Sequence, residues 1–162
     1  MKGPWPDSVA RVVQVLRVAK VEARVEEFSE GTPTADDASR ATGAPLSQIV
    51  KSLVFSCDGR AIVVMVPGDS RADAGKVGRA AGCLRVKSAG PDAVAEATGF
   101  PAGGVAPFPL PRIETVLIDR SLLTHELVWI GAGSERHMAA LAPPDLVRLS
   151  RARPIDAVAE TT

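Results

Sequence analysis

The stretch QIVKSLVFSCDGRAIVVMVP, residues 48–67, decides the fold. Two apolar runs flank C-D-G-R at 57–60, a turn signal, so the segment reads as an antiparallel hairpin at the centre of a sheet. Ile49, Val50, Leu53, Val54 and Phe55 are apolar on both faces, which marks an interior strand. Lys51 interrupts it. Alternation places its side chain with Ile49, Leu53 and Phe55, and withdrawing an ammonium group from water without a partner costs several kcal/mol. Two readings follow: Lys51 sits near a strand end and carries its head to solvent, or it lines a pocket and meets a ligand carbonyl or phosphate.

Outward from the hairpin, helices and strands alternate without an internal repeat. Ser8 is expected to cap a helix running to about Lys20, with Val9, Val12, Val13 and Leu16 on one face. VEARVEEF (21–28) alternates as a half-buried strand. Thr34 and Asp37 resemble a capping box opening a helix over 35–42, which Gly43 ends. Beyond Pro67, Asp69 or Ser70 can cap a helix to about Ala81, and LRVK follows as a short strand. A helix over 88–98, strands at 115–119, 127–131 and 137–141, a helical turn near 121–124 and the helix PPDLVRLS complete the pattern. Some connections are hairpins and others helical crossovers. The expected fold is mixed α/β (α+β): one domain over residues 1–150, a mixed and mostly antiparallel sheet flanked by helices. Residues 151–162 are expected to fray.

A chain of 162 residues is long enough for one domain with a real core. At 46% hydrophobic and 23% charged it has the composition of a globular protein, and no apolar run is long enough to span a bilayer. Formal net charge is zero, which argues against indiscriminate coating of nucleic acid but leaves room for a local basic patch. Cys57 and Cys83 are too few for a disulfide framework or a zinc site, and read as ordinary residues of a reducing, cytoplasmic compartment.

The most unusual connection is TGFPAGGVAPFPLPR, residues 98–112, with three glycines and four prolines. Proline fixes φ while glycine permits bends, so a rigid, specially shaped loop is expected. Adjacent Gly103 and Gly104 would let backbone approach a ligand; a tight structural turn is the plainer reading. Neither a Walker loop nor a dinucleotide-binding glycine motif occurs, and no G-x-S-x-G elbow surrounds Ser134. His125 and His137 lack metal-ligand spacing, so no metal and no cofactor is expected. Cys57 beside a turn is a poor nucleophile candidate, while His137 stays open as a general base.

IVKSLVF after a capped helix, VVMVPGD after the hairpin, TGFPAGGVAPF, and LVWIGAGS followed by PPDLVRL together resemble the YbaK/ProX-type aminoacyl-tRNA deacylases. These are free-standing relatives of the editing domain of prolyl-tRNA synthetases, and the resemblance covers about residues 8 to 150. It implies hydrolysis of the ester of mischarged tRNA, of a small amino acid such as Cys or Ala on tRNA-Pro. Lys51 would be the catalytic lysine and Ser52 the small polar residue after it, with Gly103 and Pro107 matching a G-x-x-x-P loop. Backbone at Gly104 and the side chain of Ser134 would complete the substrate pocket. Ala106 and Pro109 depart from that loop's usual hydroxyl residue and glycine. The absent nucleophile then makes sense, because the implied mechanism uses a ribose hydroxyl of the substrate to activate water.

The implied partners are a tRNA acceptor end and a prolyl-tRNA synthetase, with no membrane. Arg71, Lys76, Arg79, Arg85 and Lys87 are candidate phosphate contacts, or a solvated face. The alternative to an enzyme is a non-catalytic module that binds an aminoacyl or nucleotide end or docks on a synthetase.

Overall fold

A computed structural model describes residues 5–160. The chain order is α1 (Asp7–Val18), β1 (Arg24–Glu27), α2 (Ala35–Thr42), β2 (Val50–Cys57), β3 (Arg60–Pro67), α3 (Ala74–Ala81), β4 (Val86–Ser88), α4 (Pro91–Thr98), β5 (Val116–Asp119), β6 (Val128–Ser134), β7 (His137–Leu141), α5 (Pro143–Ser150) and β8 (Arg153–Ile155). The fold is mixed α/β in one domain, as the alternation of elements implies.

The strands form two sheets where the sequence suggested one. A five-stranded sheet runs β4-β2-β3-β5-β8 and a three-stranded antiparallel sheet runs β1-β7-β6. They meet through a parallel bridge between Ile49 and Trp129. The hairpin pairs in full, from Val50 opposite Pro67 to Cys57 opposite Arg60. β5 joins β3 in parallel and β8 joins β5 in parallel, so the sheet is mixed.

β3 is buried on both faces, and that is why its sequence is an unbroken apolar run. Val63 and Met65 face a core shared with α1, β6, β7 and the glycine–proline loop. Ile62, Val64 and Val66 face a second core beneath α3, with Val77, Leu117 and Ile155. α1 enters the first core through Val9, Val12 and Leu16, at helical spacing.

Several boundaries differ from expectation for identifiable reasons. α1 begins at Asp7, and Ser8 lies inside it; the Pro6 carbonyl accepts the first helical bond, from Ala10 N–H at 2.8 Å. α3 is capped by Asp73, whose carboxylate accepts the Lys76 N–H at 3.0 Å, and not by Asp69 or Ser70. Those two residues are occupied in a turn after Pro67, where Gly68 N–H donates to the Leu46 and Ile49 carbonyls. Thr34 does cap α2 through Asp37 N–H, and Gly43 ends it in the left-handed region.

Two larger corrections concern the cysteines and the tail. Cys57 and Cys83 form a disulfide, with Cα atoms 5.6 Å apart. Counting spacings could not find it, because β4 folds back on the end of β2 and brings position 83 beside position 57. The chain beyond Arg151 does not fray through its described length. β8 pairs with β5, Val158 bridges to Ala72, and Ala157 is fully buried. Asp119 anchors this segment by accepting the Ala157 N–H at 2.8 Å. Among the described residues no helix is long and apolar enough to cross a membrane.

Candidate active site

β4 covers only the far end of β2, pairing from Phe55 to Cys57. At the near end, where β2 carries Lys51 and Ser52, the two sheets part and leave a cavity of about 310 Å³. Its walls come from separate parts of the chain: β2, the start of α2 with Thr34 and Ala38, the loop residues Gly103 and Gly104, and Met138 of β7. Ile49, Ala38 and Met138 belong to one apolar cluster, so part of the lining is hydrocarbon.

The question posed by Lys51 has a structural answer. Its ammonium is part-buried and donates to the Ser70 carbonyl, in the turn after Pro67. Gly68 fixes that turn, since a Cβ there would lie 2.9 Å from the Leu46 carbonyl oxygen. Burial pushes the Lys51 pKa below the ordinary lysine value; Asp69 and Asp36 pull it back up, and Arg71 pushes it further down. An ammonium has three donors, so two remain beyond the bond to Ser70. Lys51 is therefore a partly dehydrated cation on a cavity wall with donors to spare.

Ser52 faces the other side of β2, yet it also lines the cavity, because the open strand edge brings both faces to it. The Ser52 hydroxyl is buried and has no hydrogen-bond partner among the described residues.

Close backbone contact explains the glycine pair. A Cβ on Gly104 would lie 2.4 Å from the Ser134 carbonyl carbon, and one on Gly131 would lie 2.6 Å from the Val105 carbonyl oxygen. The loop thus packs backbone against backbone on β6, which only glycine allows. Gly103 is looser: the atoms nearest to a Cβ there belong to the Glu135 side chain, at 3.0 Å. Both glycines line the cavity. Pro107 is buried and does not line it; Ala106 is fully buried in the main core, so its departure from the usual hydroxyl residue is absorbed by packing.

Ser134 does not bring its side chain to the cavity. Its hydroxyl lies 2.6 Å from His137 Nδ1 and accepts the Arg136 N–H at 3.0 Å, which closes the β6–β7 turn. His137 is buried, with Nε2 3.9 Å from a Glu27 carboxylate oxygen. Burial lowers its pKa, Glu27 opposes this, and Arg136 adds to it. The serine, histidine and carboxylate are ordered like a nucleophile with its base, but they stand behind the loop that walls the cavity.

The expected phosphate contacts do not form one group. Lys76 holds the chain end, donating to Asp156 at 3.0 Å and to the Val158 carbonyl at 2.9 Å. Arg79, Arg85 and Lys87 are exposed on α3, the following turn and β4; Arg71 is exposed beside Lys51. Sequence reading missed Glu135, whose side chain lies against Gly103, and the Asp58 carboxylate, which accepts the Leu84 and Arg85 N–H groups and pins the turn before β4. The D-G pair of the hairpin turn signalled only local geometry.

Comparison with known proteins adds an independent line. The sequence pattern of the aminoacyl-tRNA editing domain matches residues 29–149. An uncharacterised protein of Bacillus subtilis strain 168, YwhH, is 33% identical over 130 residues, covering 80% of this chain and 82% of that one. The proline–tRNA ligase of Maridesulfovibrio salexigens is 30% identical over 117 residues, which is 72% of this chain and 20% of the ligase. A solved structure described as a candidate trans-editing enzyme for prolyl-tRNA synthetase superposes with a TM-score of 0.87 at 33% identity, covering 97% of this chain and all of that one.

Proposed function

The chain belongs to the aminoacyl-tRNA editing domain family, and from that premise we propose that it hydrolyses the ester of mischarged aminoacyl-tRNA in trans. The observation that carries this reading is the Lys51 ammonium, partly withdrawn from water on the wall of a small cavity. An aminoacyl ester is already activated, so positioning and polarisation suffice. Water adds to the ester carbonyl while the neighbouring ribose hydroxyl of the substrate assists its deprotonation. The free donors of Lys51 stabilise the oxyanion that forms. The bond to the ribose oxygen then breaks, that oxygen takes a proton, and the amino acid leaves as its carboxylate. One well-placed donor of this kind is worth about 2.7–4 kcal/mol in the transition state.

The likeness to proline–tRNA ligase supports a small aminoacyl group such as alanyl or cysteinyl, with tRNA-Pro as its carrier. A synthetase gains only about 1–3 kcal/mol per methylene, so a second site that admits the smaller residue supplies the missing discrimination. Gly103 and Gly104 wall the aminoacyl site with backbone, and Ser52 offers a buried hydroxyl beside it. Arg71, nearest the site, with Arg79, Arg85 and Lys87, would meet the tRNA backbone, and a prolyl-tRNA synthetase is the natural source of substrate.

The test is incubation with a panel of mischarged tRNAs, following release of free amino acid. Release of a small amino acid from one or more of them, faster than from buffer, is the expected result. Binding without release from any would instead identify a non-catalytic module.

A further inference from the structure

A carboxylate that the mechanism above does not use stands against Gly103, one of the residues that line the cavity. Glu135 occupies the tip of the turn between β6 and β7, and three contacts fix that tip through its backbone. Its carbonyl accepts the Thr32 N–H at 2.6 Å and the Thr32 hydroxyl at 3.2 Å, while the neighbouring Arg136 carbonyl accepts the Phe28 N–H at 2.6 Å. The side chain is left free to project. Its Cγ and Oε1 lie 3.0 Å from the point where a Cβ on Gly103 would stand. Gly103 lines the cavity and Glu135 itself does not, so the carboxylate lies against the cavity's glycine wall. It is exposed and makes no ion pair among the described residues, although Arg136 adjoins it in sequence.

A carboxylate kept without a cation beside the site of a phosphate-bearing substrate is a repulsive feature unless a cation arrives with the ligand. An aminoacyl ester brings one, the α-ammonium, one carbon from the carbonyl that is attacked. Lys51 supplies positive charge on β2, and Glu135 supplies negative charge over the glycine wall. Asp36 and Asp69 both act on the Lys51 ammonium, which already balances them, and Asp37, bonded to the Thr34 hydroxyl of the lining, is paired with Arg40. We propose that the Glu135 carboxylate receives the α-ammonium of the aminoacyl group, so that the site selects esters with a free amine over N-acylated ones. Glu135 is a specificity-determining residue by this account, and the inference rests on the deacylase reading of the same cavity.

Charged hydrogen bonds of this kind are worth roughly 10- to 100-fold in a rate constant. The experiment compares deacylation of alanyl-tRNA and N-acetylalanyl-tRNA by wild type and by Glu135→Gln, with Asp36→Asn and Asp69→Asn alongside. The glutamine keeps the backbone contacts to Thr32, so the turn stays in place, which thermal melting checks. Wild type should prefer the free amine, and Glu135→Gln should lose about 10- to 100-fold in kcat/KM on that substrate alone, collapsing the ratio. An unchanged ratio in a folded Glu135→Gln, or a collapse in Asp36→Asn or Asp69→Asn instead, overturns the inference. If wild type hydrolyses neither of these esters nor any other of the panel, the deacylase reading fails first, and that outcome is separate.

Discussion

Lys51 releases its proton more readily than a lysine in water, because burial disfavours its charged form. The sign of the consequence is fixed. Between the lowered folded value and the ordinary 10.5, the unfolded chain holds a proton that the folded one has lost, so stability rises with pH across that window. Enzyme-dependent deacylation should run the other way, with an alkaline limb that falls below pH 10.5 as the ammonium is lost; rates without protein must be subtracted, since the ester also hydrolyses in alkali. His137 makes a second prediction on the acid side. Its pKa is lowered from 6.5 by burial and by Arg136, against the opposing pull of Glu27, so the stability it permits is complete above 6.5 and is lost as pH falls through the lowered value. Asp58 and Asp73 are held below 3.8 by backbone hydrogen bonds and titrate further down. Thermal melts from pH 8 to pH 5 should therefore show a falling melting temperature that His137→Gln largely removes. A slope that survives in the variant would assign the effect to another group.

Among the elements, the glycine–proline loop makes the sharpest contrast. Gly104→Ala forces a methyl into the Ser134 backbone and should cost at least the ~1–3 kcal/mol of an overpacked site. Gly103→Ala comes nearest to the movable Glu135 side chain, so it should melt like wild type while turnover falls. Chemical denaturation beside the deacylation assay separates the two; equal losses of stability would show the loop to be a plain structural turn. The disulfide is the second element-scale test. It closes a loop of 26 residues, for which chain entropy gives about 3–4 kcal/mol, so Cys83→Ala should lower the unfolding free energy by an amount of that order. These elements also show what the sequence could carry. The hairpin, the Thr34 cap and the two-faced burial of β3 were legible because each is written in neighbouring residues. The disulfide, the pairing of β8 with β5, the split into two sheets and the position of Glu135 over Gly103 were not, because each joins residues far apart in the chain. Ser134 shows the same limit: its place in a motif was readable, but its rotation toward His137 depends on where β7 returns.

For the whole molecule, the account requires a neutral protein to hold a polyanion with a few exposed cations. Arg79 and Arg85 are exposed, whereas Lys76 stitches the chain end to α3. Binding to uncharged tRNA should be weak, and Arg79→Ala with Arg85→Ala should flatten the salt dependence by somewhat under one unit for each phosphate no longer neutralised. An unchanged slope would move the tRNA surface elsewhere. The central claim is narrower: one partly dehydrated ammonium on a cavity wall polarises an ester. Its most direct test is single-turnover deacylation of the best mischarged tRNA by wild type and by Lys51→Ala, with circular dichroism and melting to confirm the fold. The account predicts a folded variant that loses about 10²–10³ in rate, the cost of one missing oxyanion donor. A folded Lys51→Ala protein that deacylates at the wild-type rate would contradict it.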